Sequence, residues 1–210
     1  MSSPGTDAAT DLDIVPLTPE RLPDLAALFG QGGDPRWCWC AYYRVRGVVP
    51  TQRNDRVARN RAVLEDAARD LAAQGRGPGL VAYRGGEAVG WVSLGPREDY
   101  QRLEHSTMLR RVDERPVWSI VCFVVARRAR GQGIASALLD AAVDYAREQG
   151  ATLLEAYPVD TGGRRIPSAY AFSGPLSMYE SAGFEVVARR QSSRTSPVRP
   201  IVRRQVGPTG

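Results

Sequence analysis

Lysine is missing from this chain: all 28 of its Lys and Arg positions are arginine. That excludes every chemistry built on a lysine amine, including Schiff bases, pyridoxal attachment and the nucleotide-binding P-loop. Histidine is nearly missing too, with His105 alone. The three cysteines, Cys38, Cys40 and Cys122, are too few for a disulfide framework. Together with His105 they make a poor tetrahedral zinc set, and no metal is expected. No apolar run approaches the length of a membrane span, so no membrane partner is expected either. Residues 1–12 are small and polar and lack the apolar centre of a secretory signal. They read as a mobile arm ahead of a single domain over residues 13–206, with a short tail at 207–210. A reducing cytoplasm is the default compartment for such cysteine usage. The net charge is +5, but the arginines are dispersed and no basic helix carries interleaved aromatics. Nucleic acid is therefore not an expected partner.

The chain begins its regular structure with Asp13–Leu17, an edge strand given Pro16. Thr18-Pro19-Glu20 resembles a cap with proline at the first helical position, leading into a helix over Leu22, Leu25, Ala26 and Phe29 that stops at Gly30. Trp37-Cys38-Trp39-Cys40-Ala41-Tyr42-Tyr43 concentrates aromatics and reads either as a pocket wall or as a segment docked on the core. Asn54–Ala73 carries Val57, Leu64, Ala67, Ala68 and Leu71 at helical spacing. Leu80–Tyr83 and Ala88–Leu94 flank Arg84-Gly85-Gly86-Glu87, a hairpin signal. Leu153–Pro158 reads as a strand, Pro175–Phe184 as a short helix, and Glu185–Ala188 and Pro200–Arg203 as the last two strands.

The most informative stretch runs from Val117 to Leu139. Val117–Val125 is apolar and β-branched, as in a buried strand. Ile134, Leu138, Ala141, Ala142 and Tyr145 then recur at helical spacing. Between them lies Arg127-Arg128-Ala129-Arg130-Gly131-Gln132-Gly133, a basic glycine turn. The first N–H groups of a helix lack internal partners, so a turn like this can hold an anion such as a diphosphate. The third glycine of a dinucleotide fingerprint is absent. Arg128-Ala129-Arg130-Gly131-Gln132-Gly133 resembles the Arg/Gln-x-x-Gly-x-Gly/Ala signature of the GNAT superfamily of acyl-CoA-dependent N-acyltransferases. The resemblance runs from about Leu80 to Val202. The Trp37–Cys40 block looks like that of a bacterial subgroup.

The resemblance implies an α/β (α+β) fold: a mixed, mostly antiparallel sheet flanked by helices, with one parallel strand pair at the coenzyme site. It implies acetyl-CoA as co-substrate, a primary amine as acceptor, and a monomer or homodimer. Phe123, Val124 and Val125 would pair with the pantetheine and polarise the thioester carbonyl. Arg128, Arg130, Gly131, Gln132, Gly133, Ile134, Ala135 and Ser136 would hold the pyrophosphate. Met178-Tyr179-Glu180-Ser181-Ala182-Gly183-Phe184 is similar to the family's Leu-Tyr-Glu-x-x-Gly-Phe, which makes Tyr179 the acid that protonates the departing sulfur. Glu155 stands where some members carry the general base, with Asp160, Glu104 and His105 as rivals. Many relatives have Asn seven residues before the tyrosine; here that residue is Phe172. Two other readings stay open: a non-catalytic acyl-CoA-binding module, and a protein N-acetyltransferase.

Overall fold

The computed structural model describes residues 12–33, 35–46, 53–162, 172–193 and 198–207. Most of the expected N-terminal arm, residues 208–210 and the Gly163-Arg164-Arg165 stretch lie outside the described residues. Seven strands form one sheet: β1 Asp13–Pro16, β2 Gly79–Arg84, β3 Glu87–Pro96, β4 Trp118–Val125, β5 Leu153–Ala156, β6 Glu185–Arg190 and β7 Arg199–Gln205. Their spatial order is β1-β2-β3-β4-β5-β7-β6. Every pairing is antiparallel except β4 with β5, which are parallel. This is the mixed sheet expected from the sequence, with Pro16 on an edge strand as its missing N–H requires.

The β2–β3 hairpin turns on Gly85 and Gly86, at φ 56° and 77°. Two left-handed residues make the tight turn whose twist matches that of the strands.

Helices cover both faces. They are α1 Leu22–Gly30, α2 Pro35–Cys38, α3 Arg53–Ala72, α4 Gln101–Glu104, α5 Ile134–Glu148 and α6 Leu176–Ser181. Strand alternation sorts them. A side chain at Gly90 would run into Ile134 and Leu138 of α5. Its neighbour Trp91 points the other way and packs edge-on against Phe29 of α1, 6.4 Å between ring centres. Thr18 precedes a short 3-10 turn, Pro19–Arg21, but its side chain makes no capping bond. Proline at the first position accounts for that start without help from the threonine.

The aromatic block ends α2 and then turns sharply: Trp39 and Cys40 both sit in the left-handed region, at φ 50° and 48°. The turn buries Trp39, Cys40 and Tyr43 and leaves Tyr42 exposed. Trp39 packs edge-on against Phe29 at 5.4 Å, with the Arg61 guanidinium over its ring. The Cys40 Sγ lies 2.9 Å from the Cys122 Sγ of β4, both thiols free. The hydrogen bond between them, together with burial, pushes the Cys40 thiol well up, so it is held as an inert, protonated group. Most of the block is thus docked on the sheet face opposite α5.

The same face carries the long β3–β4 connection, residues 97–117. It is pinned by Arg97, which is fully buried and meets Glu155 of β5 at 2.9 Å. Arg203 of β7 holds the other carboxylate oxygen of Glu155 at 2.8 Å and reaches Asp113 of the connection at 2.7 Å. Burial works against the Arg203 charge, but the bonds to Asp113 and Glu155 more than offset it, and its pKa is raised. Arg203 and Arg115 in turn hold the Asp113 carboxyl well below the usual carboxylate range. A carboxylate stabilised in the folded state contributes in full above its unfolded pKa, near 4, and the contribution is lost as pH falls through the depressed folded value. Asp113→Asn should therefore lower the urea midpoint near neutrality and flatten its decline toward acid. Midpoints measured between about pH 7 and about pH 2 would show this, and parallel wild-type and variant curves would refute it.

Candidate active site

The site grows from a defect in the sheet. β4 pairs with β3 along its whole length, but the register slips between Ser93 and Leu94, which leaves Val121 as an extra residue. Such a bulge bends and twists its strand. On the other side β4 pairs with β5 only from Trp118 to Ile120. Beyond Ala156 the chain leaves β4: Val159 instead bridges Pro175, donating to the Gly174 carbonyl at 3.0 Å and accepting from Leu176 N–H at 2.9 Å. Val121–Val125 therefore has no strand partner on that edge among the described residues, and a gap opens between β4 and β5.

Main-chain direction follows by alternation. Ala126 N–H donates to the Val89 carbonyl of β3 at 2.9 Å. The peptide groups of Val125 and Phe123 then face the gap, and those of Val124 face β3. The Arg130 Nε bond to the Val125 carbonyl, 3.3 Å, comes from the gap side as this requires.

At the end of β4 the turn crosses Arg127–Ala129 and opens α5 at Gly133. Gly131 and Gly133 stand at φ 74° and 75°, and a Cβ on either would meet nothing within 4 Å. Their role is conformational: they turn the chain, and they leave bare backbone beside open space. The first helical bond is Ala137 N–H to the Gly133 carbonyl, 3.0 Å. The N–H groups of Ile134, Ala135 and Ser136 precede that bond and carry the positive end of the helix dipole.

A cleft of about 600 Å³ connects these features. Phe123, Val124, Val125, Arg130, Gly131, Gly133, Ile134, Ala135 and Ser136 all line it. Its other wall includes Leu28, Pro35, Phe172, Gly174 and Met178. Phe172, which replaces the family's asparagine, is thus a wall residue. The Arg128 and Gln132 side chains are engaged elsewhere. Arg128 ion-pairs with Glu87, and Gln132 accepts from Arg84 while donating to the Arg128 carbonyl at 3.0 Å. Their side chains tie the turn to the β2–β3 hairpin and do not line the cleft.

Tyr179 on α6 is buried behind the inner end of the cleft. Its ring meets Phe123 edge-on at 6.3 Å and Phe184 at 5.3 Å. Its hydroxyl donates to the Ser173 carbonyl at 3.0 Å. Burial pushes the phenol pKa far up, and the neighbouring Cys122 and Tyr43 push it further, so it stays protonated.

Glu155 is fully buried on the sheet face opposite α5, held by Arg97, by Arg203 and by the Tyr157 hydroxyl at 2.7 Å. The Tyr157 hydroxyl also receives Arg97 Nη1 at 2.7 Å and lies 3.0 Å from Ser119 Oγ. Each carboxylate oxygen is already held by a guanidinium, and the zero exposure of the side chain leaves an amine no direct approach. This geometry disfavours the expected base role. Of the rivals, Asp160 is paired with Arg189 and Glu104 with Arg97 and Arg111, while His105 is exposed. Sequence reasoning missed Arg97 and Arg203. The one available signal was an acid inside an apolar strand, which requires a cation from elsewhere in the chain.

The family model described as the acetyltransferase (GNAT) family matches residues 33–166, well over half of the chain. The chain belongs to this family. No curated protein matches it. An agmatine N-acetyltransferase superposes with a TM-score of 0.57 at 12% identity, over 93% of this chain and 99% of that one. A Salmonella typhimurium protein solved with its cofactor acetyl-CoA gives 0.52 at 16%, over 94% and 95%. A ribosomal-protein-alanine N-acetyltransferase from Brucella melitensis gives 0.50 at 20%, over 92% and 99%. At such identities the superpositions speak for the fold. This GNAT protein is accordingly an acyl-CoA-dependent N-acetyltransferase by family. The matched segment ends before Tyr179, and nothing in these matches bears on the Trp37–Cys40 block. Among the described residues no helix is long and apolar enough to cross a membrane.

Proposed function

We propose that this GNAT protein transfers an acetyl group from acetyl-CoA directly to a primary amine of a small molecule, both substrates being bound together. The observation that carries the reading is the continuity of the cleft, from the bare turn at Gly131–Gly133 along the unpaired edge of β4 to the wall in front of Tyr179. Acetyl-CoA supplies an activated thioester. The chain would hold its diphosphate with the N–H groups of Gly131 to Ser136 and the Arg130 charge. The gap-facing peptide groups of Phe123 and Val125 would align the pantetheine as an added strand and polarise the thioester carbonyl. Tyr179 would supply a hydrogen bond, and then a proton, to the departing sulfur. Glu155 we assign to positioning: with Arg97 and Arg203 it fixes the vertex where β4 and β5 part. The amine loses its proton to solvent or along a water chain.

Coverage of the sheet face opposite α5 by Trp37–Tyr43 and by residues 97–117 supports a small acceptor, since both segments narrow the approach from that side. The test is calorimetric titration with CoA, followed by thiol release from acetyl-CoA over a panel of amines and N-terminal peptides. Binding with release by small amines supports the reading. Binding with no release marks a non-catalytic module, and release by peptides alone marks a protein acetyltransferase. Absence of CoA binding removes the proposal.

A further inference from the structure

The cleft passes through the sheet. Gly90 faces α5, so its cross-strand partner Val125 does too, and Phe123, two positions earlier, shares that face. Tyr179 meets Phe123 there, which puts α6 on the same side as α5. Val124 points the other way with its partner Trp91, toward α1. Leu28 of α1, Gln31 and Pro35 line the cleft from that second side, while Met178 of α6 and the turn into α5 line it from the first. The bare glycine turn lies on the α5 side, so the coenzyme fills the cleft from there. The mouth beside Leu28, Gln31 and Pro35 is left for the acceptor.

The two ends differ in chemistry. Among the described residues that line the cleft, the charged ones are Arg127 and Arg130, both in the glycine turn. Away from that turn the walls carry Leu28, Pro35, Val124, Phe172 and Met178, with Gln31 exposed at the mouth. These walls are firm. Leu28 is 3% exposed, and the Met178 methyl lies so close over Gly174 that a Cβ there would come within 2.6 Å of it. An ammonium entering this throat would exchange hydration for hydrocarbon, which disfavours the charged form. The carboxylates that the sequence offered as bases are engaged elsewhere: Glu155 by Arg97 and Arg203, Asp160 by Arg189, Glu104 by Arg97 and Arg111. None of the three lines the cleft.

We propose that the acceptor is a monoamine on an uncharged apolar body, taken up as the free base with that body against Leu28 and Pro35. The proposal rests on the reading of the gap as the acyl-transfer site and names its substrate class. The step balances without an enzyme base. The lone pair of the neutral nitrogen forms the C–N bond, and the C–S bond breaks. Tyr179 protonates the leaving sulfur, and the proton that the nitrogen sheds restores the phenol through solvent.

Thiol release with saturating acetyl-CoA tests this on 2-phenylethylamine, 1,4-diaminobutane and β-alanine. At equal free-base concentration, 2-phenylethylamine is expected to exceed the other two at least about tenfold in kcat/KM. Its β,β-difluoro analogue is a weaker base of nearly the same shape. The acidic limb of kcat/KM is expected to move down by the difference between the two amines' own pKa values. Leu28→Ala opens the apolar wall and should raise the KM for 2-phenylethylamine about tenfold with kcat nearly kept. Gln31→Glu changes an exposed position, so it keeps the test open if Leu28→Ala folds poorly; it should improve kcat/KM for 1,4-diaminobutane severalfold. Thiol release that favours 1,4-diaminobutane or β-alanine overturns this proposal alone. So does an acidic limb fixed at one pH for both phenyl amines, or an unchanged KM in Leu28→Ala together with unchanged selectivity in Gln31→Glu. No CoA binding, or no thiol release with any small amine, overturns the transfer reading and this proposal with it.

Discussion

Replacing Arg97 by methionine is expected to cost about 3–5 kcal/mol, a large part of the stability of a typical domain. All five guanidinium N–H positions are used. Nε donates to Glu104 at 2.7 Å, Nη1 to Glu155 at 2.9 Å and to the Tyr157 hydroxyl at 2.7 Å, and Nη2 to the carbonyls of Leu103 at 3.0 Å and Leu109 at 2.7 Å. Methionine fills similar volume, so the loss is polar and not a cavity. Glu155 would keep Arg203, but one oxygen of a fully buried carboxylate would lose its cation. The Tyr157 phenol, whose pKa burial and then the Glu155 charge raise well above normal, is a donor that cannot replace that cation. For a chain of this size the midpoint should fall by about 10 °C. Arg97→Met with Glu155→Met should be less destabilised than the sum of the two single replacements, because the second removes the charge that the first leaves unpaired. Urea unfolding of the three variants measures both. A single-variant cost within about 1 kcal/mol would mean that residues 97–117 are held by their apolar contacts instead.

That network also marks where reading the chain from its residues stops. The strands, α1, α3, α5 and the Gly85-Gly86 turn have local causes: a period, a proline, a glycine pair. They stand close to where those signals put them. The glycine turn before α5 was readable for the same reason, since strand, turn and helix are contiguous. Glu155 was not. Its partners Arg97 and Arg203 lie 58 and 48 positions away, and no pattern near any of the three announces the others. Arginine is so abundant here that a buried one looks like a surface one in the sequence. The Cys40–Cys122 contact spans 82 positions and was equally hidden. Arg128 and Gln132 show a subtler limit. A motif position says where the backbone goes, but an exposed side chain goes to the nearest partner, and the hairpin at Arg84 and Glu87 supplied one.

Tyr179→Phe is expected to lower kcat by about two orders of magnitude, the usual scale for removing one positioned proton donor. Stability should fall by only about 1 kcal/mol, since one hydrogen bond to the Ser173 carbonyl is lost and the ring contacts with Phe123 and Phe184 remain. The phenol has one hydrogen, which the free protein gives to Ser173. To serve the sulfur it must release the Ser173 carbonyl and rotate about its C–O bond. An unperturbed thiol ionises near pH 8.5 and a phenol near 10, so outright proton transfer from phenol to thiolate is uphill in water. In the buried pocket both anions lose hydration, so desolvation raises both and the difference stays small. The phenol thus first stabilises developing charge by a hydrogen bond and transfers its proton late. Because its pKa is raised, its own ionisation should not shape the alkaline limb of the wild-type rate profile. Tyr179→Phe should lower the whole profile without moving that limb, and leave the KM for acetyl-CoA near its original value. An unchanged kcat with a good acceptor would falsify the assignment. A lowered kcat together with a shifted alkaline limb would instead mean that the tyrosine acts as the phenolate, which its burial opposes.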